Sequence, residues 1–408
     1  MSLFLEAIKL NHDSAAGTSD AINIRRNKNA VVSVPEWVRG ASVKPEDAPA
    51  AYSIADTKGN TLTIQARFST DDPKLKGKKV EIRAVDPTAS PPDGGCSGCT
   101  GILKWLGWLI RLLVGNVLGD VKARSVDFNA AGLSNFELFE LERVRLWDVG
   151  VGVRTTTWRW QYRRKKNDPW TDFATSEHRI YVLLEVPRAP WQQSPYLPTN
   201  TQLPWTDVLD RACVWAFAAT TRDAAAEKVT QSVYGLGPSV VEYDCPGNGF
   251  SWYSSGQFSC SAFLDLLSGG PGLGRYVNCS DCATIVSTFA NAVGCDLWQS
   301  RMGYYFDLNE LLAIGSNVWQ TACGWGGFSY HEVAWKDGCT ASDPVWDACL
   351  RVDGDASPTT APHTPLLPVN LRFGTPGSME YLDRLVTPGT RASCQPQPST
   401  TRKRRAVA

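Results

Sequence analysis

A chain of 408 residues, 43% hydrophobic and 20% charged, is long enough for two or three domains and has an ordinary globular balance. Its 41 basic residues meet 41 acidic ones, which excludes a global field that would recruit nucleic acid or an anionic surface. Twelve cysteines scattered over such a length do not read as the disulfide scaffold of a small secreted domain.

The N-terminus, MSLFLEAIKLNHD, lacks a basic leader, a sustained apolar run and a small-residue cleavage site. The expectation is a cytoplasmic protein with mostly reduced thiols. Residues 1 to 55 read as mixed and turn-rich, interrupted by Pro35, Pro45 and Pro49. Thr61 to Phe68 and Val80 to Val85 then alternate apolar and polar side chains, as half-buried strands do. A Pro- and Gly-rich loop follows, carrying Cys96 and Cys99.

Residues 101–114 (GILKWLGWLIRLLV), at the start of an insertion near 101–118, are apolar nearly all round, with Lys104 and Arg111 two helical turns apart. The run is too short and too charged for a spanning helix. A core helix, or an insertion covering the adjacent sheet, is the favoured reading. An interfacial membrane helix with snorkelling basic residues is the alternative, so membrane contact stays open.

Strand signals resume over Lys122–Phe128, Asn135–Glu140, Val151–Tyr162 and His178–Leu184, with a charged turn at Arg163–Asp168. Short strands between turns predict an Ig-like β-sandwich over residues 1–187, and His178 is expected to be structural. The proline-rich stretch 188–204 reads as a stiff linker. Beyond it, Thr206 or Asp207 caps one helix, Thr221 begins a second over Arg222–Tyr234 closed by Gly235, and Ala262–Leu267 forms a short third. Helices first and paired strands later predict an α+β domain over 205–387, with a helical turn around Met379 to Leu385. The basic tail 388–408 lacks a core-forming pattern and is expected to be disordered.

Within this second domain, Asn278-Cys279-Ser280-Asp281-Cys282-Ala283 opens a helix whose apolar residues run from Ala283 to Val293 and which ends at Gly294. Cys279 thus sits at a helix start, where unpaired N–H groups and the helix dipole favour the nucleophilic thiolate. Downstream, Ser329–Trp335 reads as a strand carrying His331, one of only four histidines, and Val345–Leu350 as a strand carrying Asp347. If the two strands pair, His331 and Asp347 share a face, and with Cys279 they supply the parts of an activated-nucleophile triad. Cys282 is the alternative nucleophile, and Asp343 or Asp353 the alternative carboxylate. Cys96/Cys99 and Cys279/Cys282 can in principle assemble a zinc site, but ligand knuckles sit in turns, so neither metal nor cofactor is expected.

The order Cys279-Ser280-Asp281-Cys282-Ala283, then His331-Glu332-Val333-Ala334-Trp335, then Trp346-Asp347-Ala348 resembles the transglutaminase-like cysteine enzyme superfamily, whose fold is similar to that of papain-like proteases. The resemblance runs from about Thr206 to Asp353. It implies a papain-like half-and-half domain and a Cys279–His331–Asp347 triad acting on peptide, isopeptide or other amide bonds through an acyl-thioester. The family's oxyanion-hole residue has no clear match; Trp252, Tyr253 and Gln257 are the candidates. Hydrolysis is the favoured outcome and transfer to an amine the alternative, with a protein or peptide substrate as partner. A non-enzymatic scaffold, or a membrane-engaging effector or toxin, is the competing reading.

Overall fold

A computed structural model of the chain describes residues 2–13, 20–54, 62–87, 116–142, 146, 150–191 and 202–408. The hydrophobic segment 101–114 and the cysteines at 96 and 99 lie outside the described residues. The chain is β-rich with few helices, and it divides into two compact units, Met1–Val186 with Gln193–Thr206, and Pro187–Gln192 with Asp207–Ala408.

The first unit contains strands β1 (Leu3–Lys9), β2 (Trp37–Val38), β3 (Ala50–Ser53), β4 (Thr63–Thr70), β5 (Lys79–Val85), β6 (Val121–Asp127), β7 (Glu137–Glu140), β8 (Gly152–Arg163) and β9 (Thr171–Leu183). They form a four-stranded sheet, β2-β1-β4-β7, and a five-stranded sheet, β3-β9-β8-β5-β6, in which β3 runs parallel to β9. Alternation decides what faces inward: Ile64, Ala66 and Phe68 from β4 meet Ile82, Trp158 and Trp160 from the other sheet in one apolar core. Phe68 stands edge-on to Phe139 at 5.9 Å and to Trp160 at 5.5 Å, the favoured geometry for such rings. His178 is buried on the Trp158 ring and bonded to Ser176, and burial lowers its pKa to about 3. Within the mixed, turn-rich stretch before residue 55, β1 is a strand that the sequence did not single out: its Leu3, Leu5 and Ala7 alternate inward before the first proline is reached.

Glu36 is the costly residue of this unit. It is buried, accepts the Leu10 and Asn11 backbone N–H groups at 2.9 and 3.0 Å, and is pushed up to about 7 by desolvation, with Asp20 adding to the shift. The native state therefore holds a proton that the unfolded chain releases above its ordinary carboxyl range, so stability falls as pH rises from 4.5 towards 7. The expected loss is on the order of 3 kcal/mol. Buried His178, lowered to about 3, adds an opposite slope below pH 6.5 in every variant, so Glu36 is read as the difference between the denaturant stabilities of wild type and Glu36→Gln across that window, which should shrink as pH rises towards 7.

The second unit contains α1 (Thr206–Trp215), α2 (Arg222–Tyr234), β10 (Glu242–Tyr243), α3 (Cys260–Leu267), β11 (Tyr276–Val277), α4 (Cys279–Ala292), β12 (Trp298–Met302), β13 (Phe306–Asp307), β14 (Leu312–Ala313), β15 (Gly327–Phe328), β16 (His331–Trp335), β17 (Pro344–Trp346), β18 (Leu350–Asp353), β19 (Pro365–Leu366), β20 (Val369–Arg372) and α5 (Tyr381–Leu385). Every residue of α4 is buried, and it packs against α2 and β16. The main sheet has the order β12-β16-β17-β20 and is antiparallel. A disulfide joins Cys245 to Cys323, whose spacing gave no hint of it, and eight described cysteines stay free.

Two stretches differ from the sequence expectations here. The first residues of the stretch read as a stiff linker are packed: Trp191 is buried and donates its indole N–H to the Thr288 carbonyl at 2.9 Å, while Asn291 bonds the Ala189 carbonyl. The tail 388–408 is not disordered. Lys403 exchanges backbone hydrogen bonds with Gln299 at 2.9 Å each, Val407 bridges to Phe258, and Arg402 and Arg404 stack on the Trp298 ring at 3.5 and 3.7 Å. Backbone pairing and cation–π contacts hold this arm, and neither leaves an apolar period in the sequence.

Candidate active site

Cys279 is the first residue of α4, and the start of that helix is unusually well held. Asn278 caps it by accepting the Asp281 N–H at 3.0 Å, and Asp281 reaches back to the Asn278 N–H at 3.2 Å, a reciprocal capping box. The fully buried Asp281 also accepts the Trp252 and Tyr253 N–H groups at 3.0 and 2.9 Å and the Ser254 hydroxyl at 2.7 Å. Asn278 in turn donates to the Gly249 carbonyl and to Ser251. One carboxylate and one amide thereby fix the loop 248–254 to the helix end.

His331 opens β16, and Asp347 follows β17. The two strands pair as Ala334 with Trp346 and Trp335 with Val345. Extending that register sets Asp347 opposite Val333, so His331 is its diagonal neighbour on the same face, a separation that long side chains span. His331 Nε2 lies 2.9 Å from Asp347 Oδ2. The other imidazole nitrogen, Nδ1, has no hydrogen-bond partner, and the Cys279 side chain interacts with the same ring. Burial disfavours the imidazolium, yet the charge and hydrogen bond of Asp347, joined by the interaction with Cys279, outweigh it and hold the His331 pKa up at about 10. Phe328 stacks on the imidazole at 5.5 Å with 13° between the planes, which fixes the ring's tilt.

Asp347 is oriented by two further donors, the Cys349 N–H at 2.7 Å and the Tyr381 hydroxyl at 2.7 Å. Tyr381 comes from α5, in a proline-rich stretch where local sequence carries no signal for it. Asp353 instead pairs with His363, which bridges to Glu310 beneath Trp319, and Asp343 closes the Thr340 turn. Cys282 lies one turn further into the helix against Cys349, fully buried. Of the alternatives left open by the sequence, none therefore meets His331.

Cys279 borders a cleft of about 280 Å³ whose walls include Tyr243, Asn248, Trp325 and Tyr330; among the described residues, those lining it carry no charged side chain. The three oxyanion candidates are placed elsewhere. Gln257 is exposed, the Tyr253 hydroxyl is bound to the Gly274 carbonyl and the Leu273 N–H, and the Trp252 indole donates to Asp244. Their stretch supports the helix start through backbone amides and leaves the cleft to Tyr243 and Asn248. The Cys245–Cys323 disulfide ties together the segments that lead into the two walls, one to Asn248 and the other to Trp325.

A helix-start cysteine at an uncharged cleft thus stands with a buried histidine that is itself held by an oriented aspartate. No family model matches the chain, and no curated protein matches it. Among solved structures it is similar to the crystal structure of red sea bream transglutaminase, at 10% sequence identity and a TM-score of 0.36 over 76% of this chain. It spans 50% of that protein's length.

Proposed function

We propose that this chain is a cysteine-dependent acyl-transfer enzyme acting on peptide, isopeptide or other amide bonds of a protein or peptide, with a transglutaminase-like second unit of papain-like build behind an Ig-like sandwich. The observation that carries the reading is the His331 ring, bonded to Asp347 through Nε2, with Nδ1 unpaired and the Cys279 side chain interacting with the same ring. Cys279 sulfur, having given its proton to His331, attacks the substrate carbonyl carbon. The imidazolium returns that proton to the leaving nitrogen as the C–N bond breaks, leaving a thioester and a free amine. Backbone N–H groups at the start of α4 face the developing oxyanion. Water, deprotonated by His331, then releases a carboxylic acid; an amine in its place gives a new amide. Asp347 keeps the tautomer and stabilises the cation without taking the proton.

The test is release of ammonia or amine from a panel of peptide amides, with and without an added primary amine. Cys279→Ala and His331→Ala should abolish turnover. Asp347→Ala should lose about 10²- to 10⁴-fold and keep a measurable residue. Activity that survives Cys279→Ala sinks the proposal; activity seen only with the added amine selects transfer over hydrolysis.

A further inference from the structure

Two neighbours of the reacting residues meet underneath the site. Ser280 follows the cysteine, Glu332 follows the histidine, and Ser280 Oγ donates to Glu332 Oε2 at 2.7 Å. That bond joins α4 to β16 one residue away from each reacting group. The Glu332 carboxylate is fully buried, so it needs a charged partner. Arg405 supplies it from the C-terminal arm, with Nη1 2.6 Å from Oε1 and Nη2 3.1 Å from Oε2, in the forked geometry suited to a carboxylate. Arg405 is itself buried and donates to Thr284 of α4 at 2.8 Å and to Gln299 of β12 at 2.9 Å. A single guanidinium therefore touches the cysteine helix, the histidine strand and the strand between that one and the arm.

We propose that Arg405 and Glu332 are positioning residues for the Cys279–His331 pair, holding α4 against β16 and balancing the charge beside the thiol. This rests on the acyl-transfer reading of the same site. The other charged or titratable groups around the thiol are His331 and Asp347 on the histidine side, Tyr243 from β10, Tyr330 ahead of β16, and Arg301 from β12. Asp281, Cys282 and Cys349 lie behind it, and Lys403 accompanies Arg405 on the arm. Removing Arg405 leaves Glu332 offset only by Arg301, whose Nε lies 3.4 Å from Oε2, and by Lys403, so the carboxylate is under-compensated beside the cysteine helix, which disfavours the thiolate. Removing the Glu332 charge does the reverse. A purely structural role moves stability but not the sign of these shifts.

The experiment is the pH profile of Cys279 alkylation by iodoacetamide in the full chain, read by mass spectrometry, for wild type, Glu332→Gln, Arg405→Met and the double variant. The midpoint should rise by about one pH unit in Arg405→Met, slowing the reaction about tenfold at neutral pH. It should fall in Glu332→Gln and return close to wild type in the double variant, since the two charges cancel. If Arg405→Met does not fold, the fall in Glu332→Gln and its reversal in the double variant decide. Unmoved midpoints, or shifts of the same sign in both single variants, overturn the proposal while leaving the acyl-transfer reading in place. A wild-type Cys279 whose reactivity does not titrate overturns both.

Discussion

Limiting iodoacetamide at pH 7 is expected to label Cys279 ahead of every other thiol in the folded chain. Among the described cysteines, Cys260, Cys282, Cys339, Cys349 and Cys394 are held towards their protonated, unreactive form. Burial pushes Cys260 and Cys349 well above the ordinary thiol range and Cys339 to about 12. A bond from Cys349 pulls Cys282 down, but burial and the nearby acidic groups win and leave it raised. Among the described cysteines, Cys279 alone borders the cleft and has an imidazole to take its proton. His331→Ala should slow its labelling by roughly 10- to 100-fold, because the thiolate loses its counterion. The His331 charge also carries a stability signature. Its pKa is about 10 in the fold against an ordinary 6.5, so its contribution is complete below 6.5 and lost as pH rises through 10. Labelling led by Cys282, or spread evenly over the free thiols, would remove Cys279 from its role.

Asp281→Ala should be the most destabilising single substitution near the site, at about 3 to 5 kcal/mol. Four donors converge on this buried carboxylate: the N–H groups of Trp252, Tyr253 and Asn278, and the Ser254 hydroxyl. Alanine leaves all four without an acceptor and removes half of the α4 capping box. Asp281→Asn should fall between, since the amide keeps one accepting oxygen and turns the other position into a donor among donors. Denaturant titration of both variants measures this, and a cost below about 1 kcal/mol for the alanine variant would show that water replaces the carboxylate.

What could be read in the sequence was local. Thr221 and Gly235 mark the ends of α2 because capping chemistry acts within one turn, and Thr221 does accept the Ala224 N–H at 3.2 Å. Alternation along Trp158 and Trp160 marks the inward face of β8 for the same reason. Cys279, His331 and Asp347 stood out because each is a chemically odd residue in a regular setting: a thiol at a cap, and an ionisable group in each of two apolar strands. The residues that were missed act across long sequence distances. Tyr381 reaches Asp347 from a segment of unremarkable composition, Cys245 finds Cys323 across 78 residues, and Tyr243 reaches the cleft from a two-residue strand. Trp252, Tyr253 and Gln257 do not line the cleft, because proximity in sequence to α4 says nothing about which atoms face it; the backbone amides of the first two, rather than their side chains, serve the helix start. The basic tail misled for a related reason, since a run of arginines looks the same whether its partners are solvent or a buried carboxylate.

The docking of the C-terminal arm also imposes an order in time. Glu332 and Arg405 are 73 residues apart, so at synthesis rates of about 5 to 20 residues per second the cysteine helix and the histidine strand exist for roughly 4 to 15 seconds before their counterion has been made. During that interval the Glu332 carboxylate has Arg301, 3.4 Å from Oε2, but not the forked pair with Arg405, and α4 and β16 lack the guanidinium that touches both. A chain still being synthesised therefore holds its thiol in a site that is not yet fully braced.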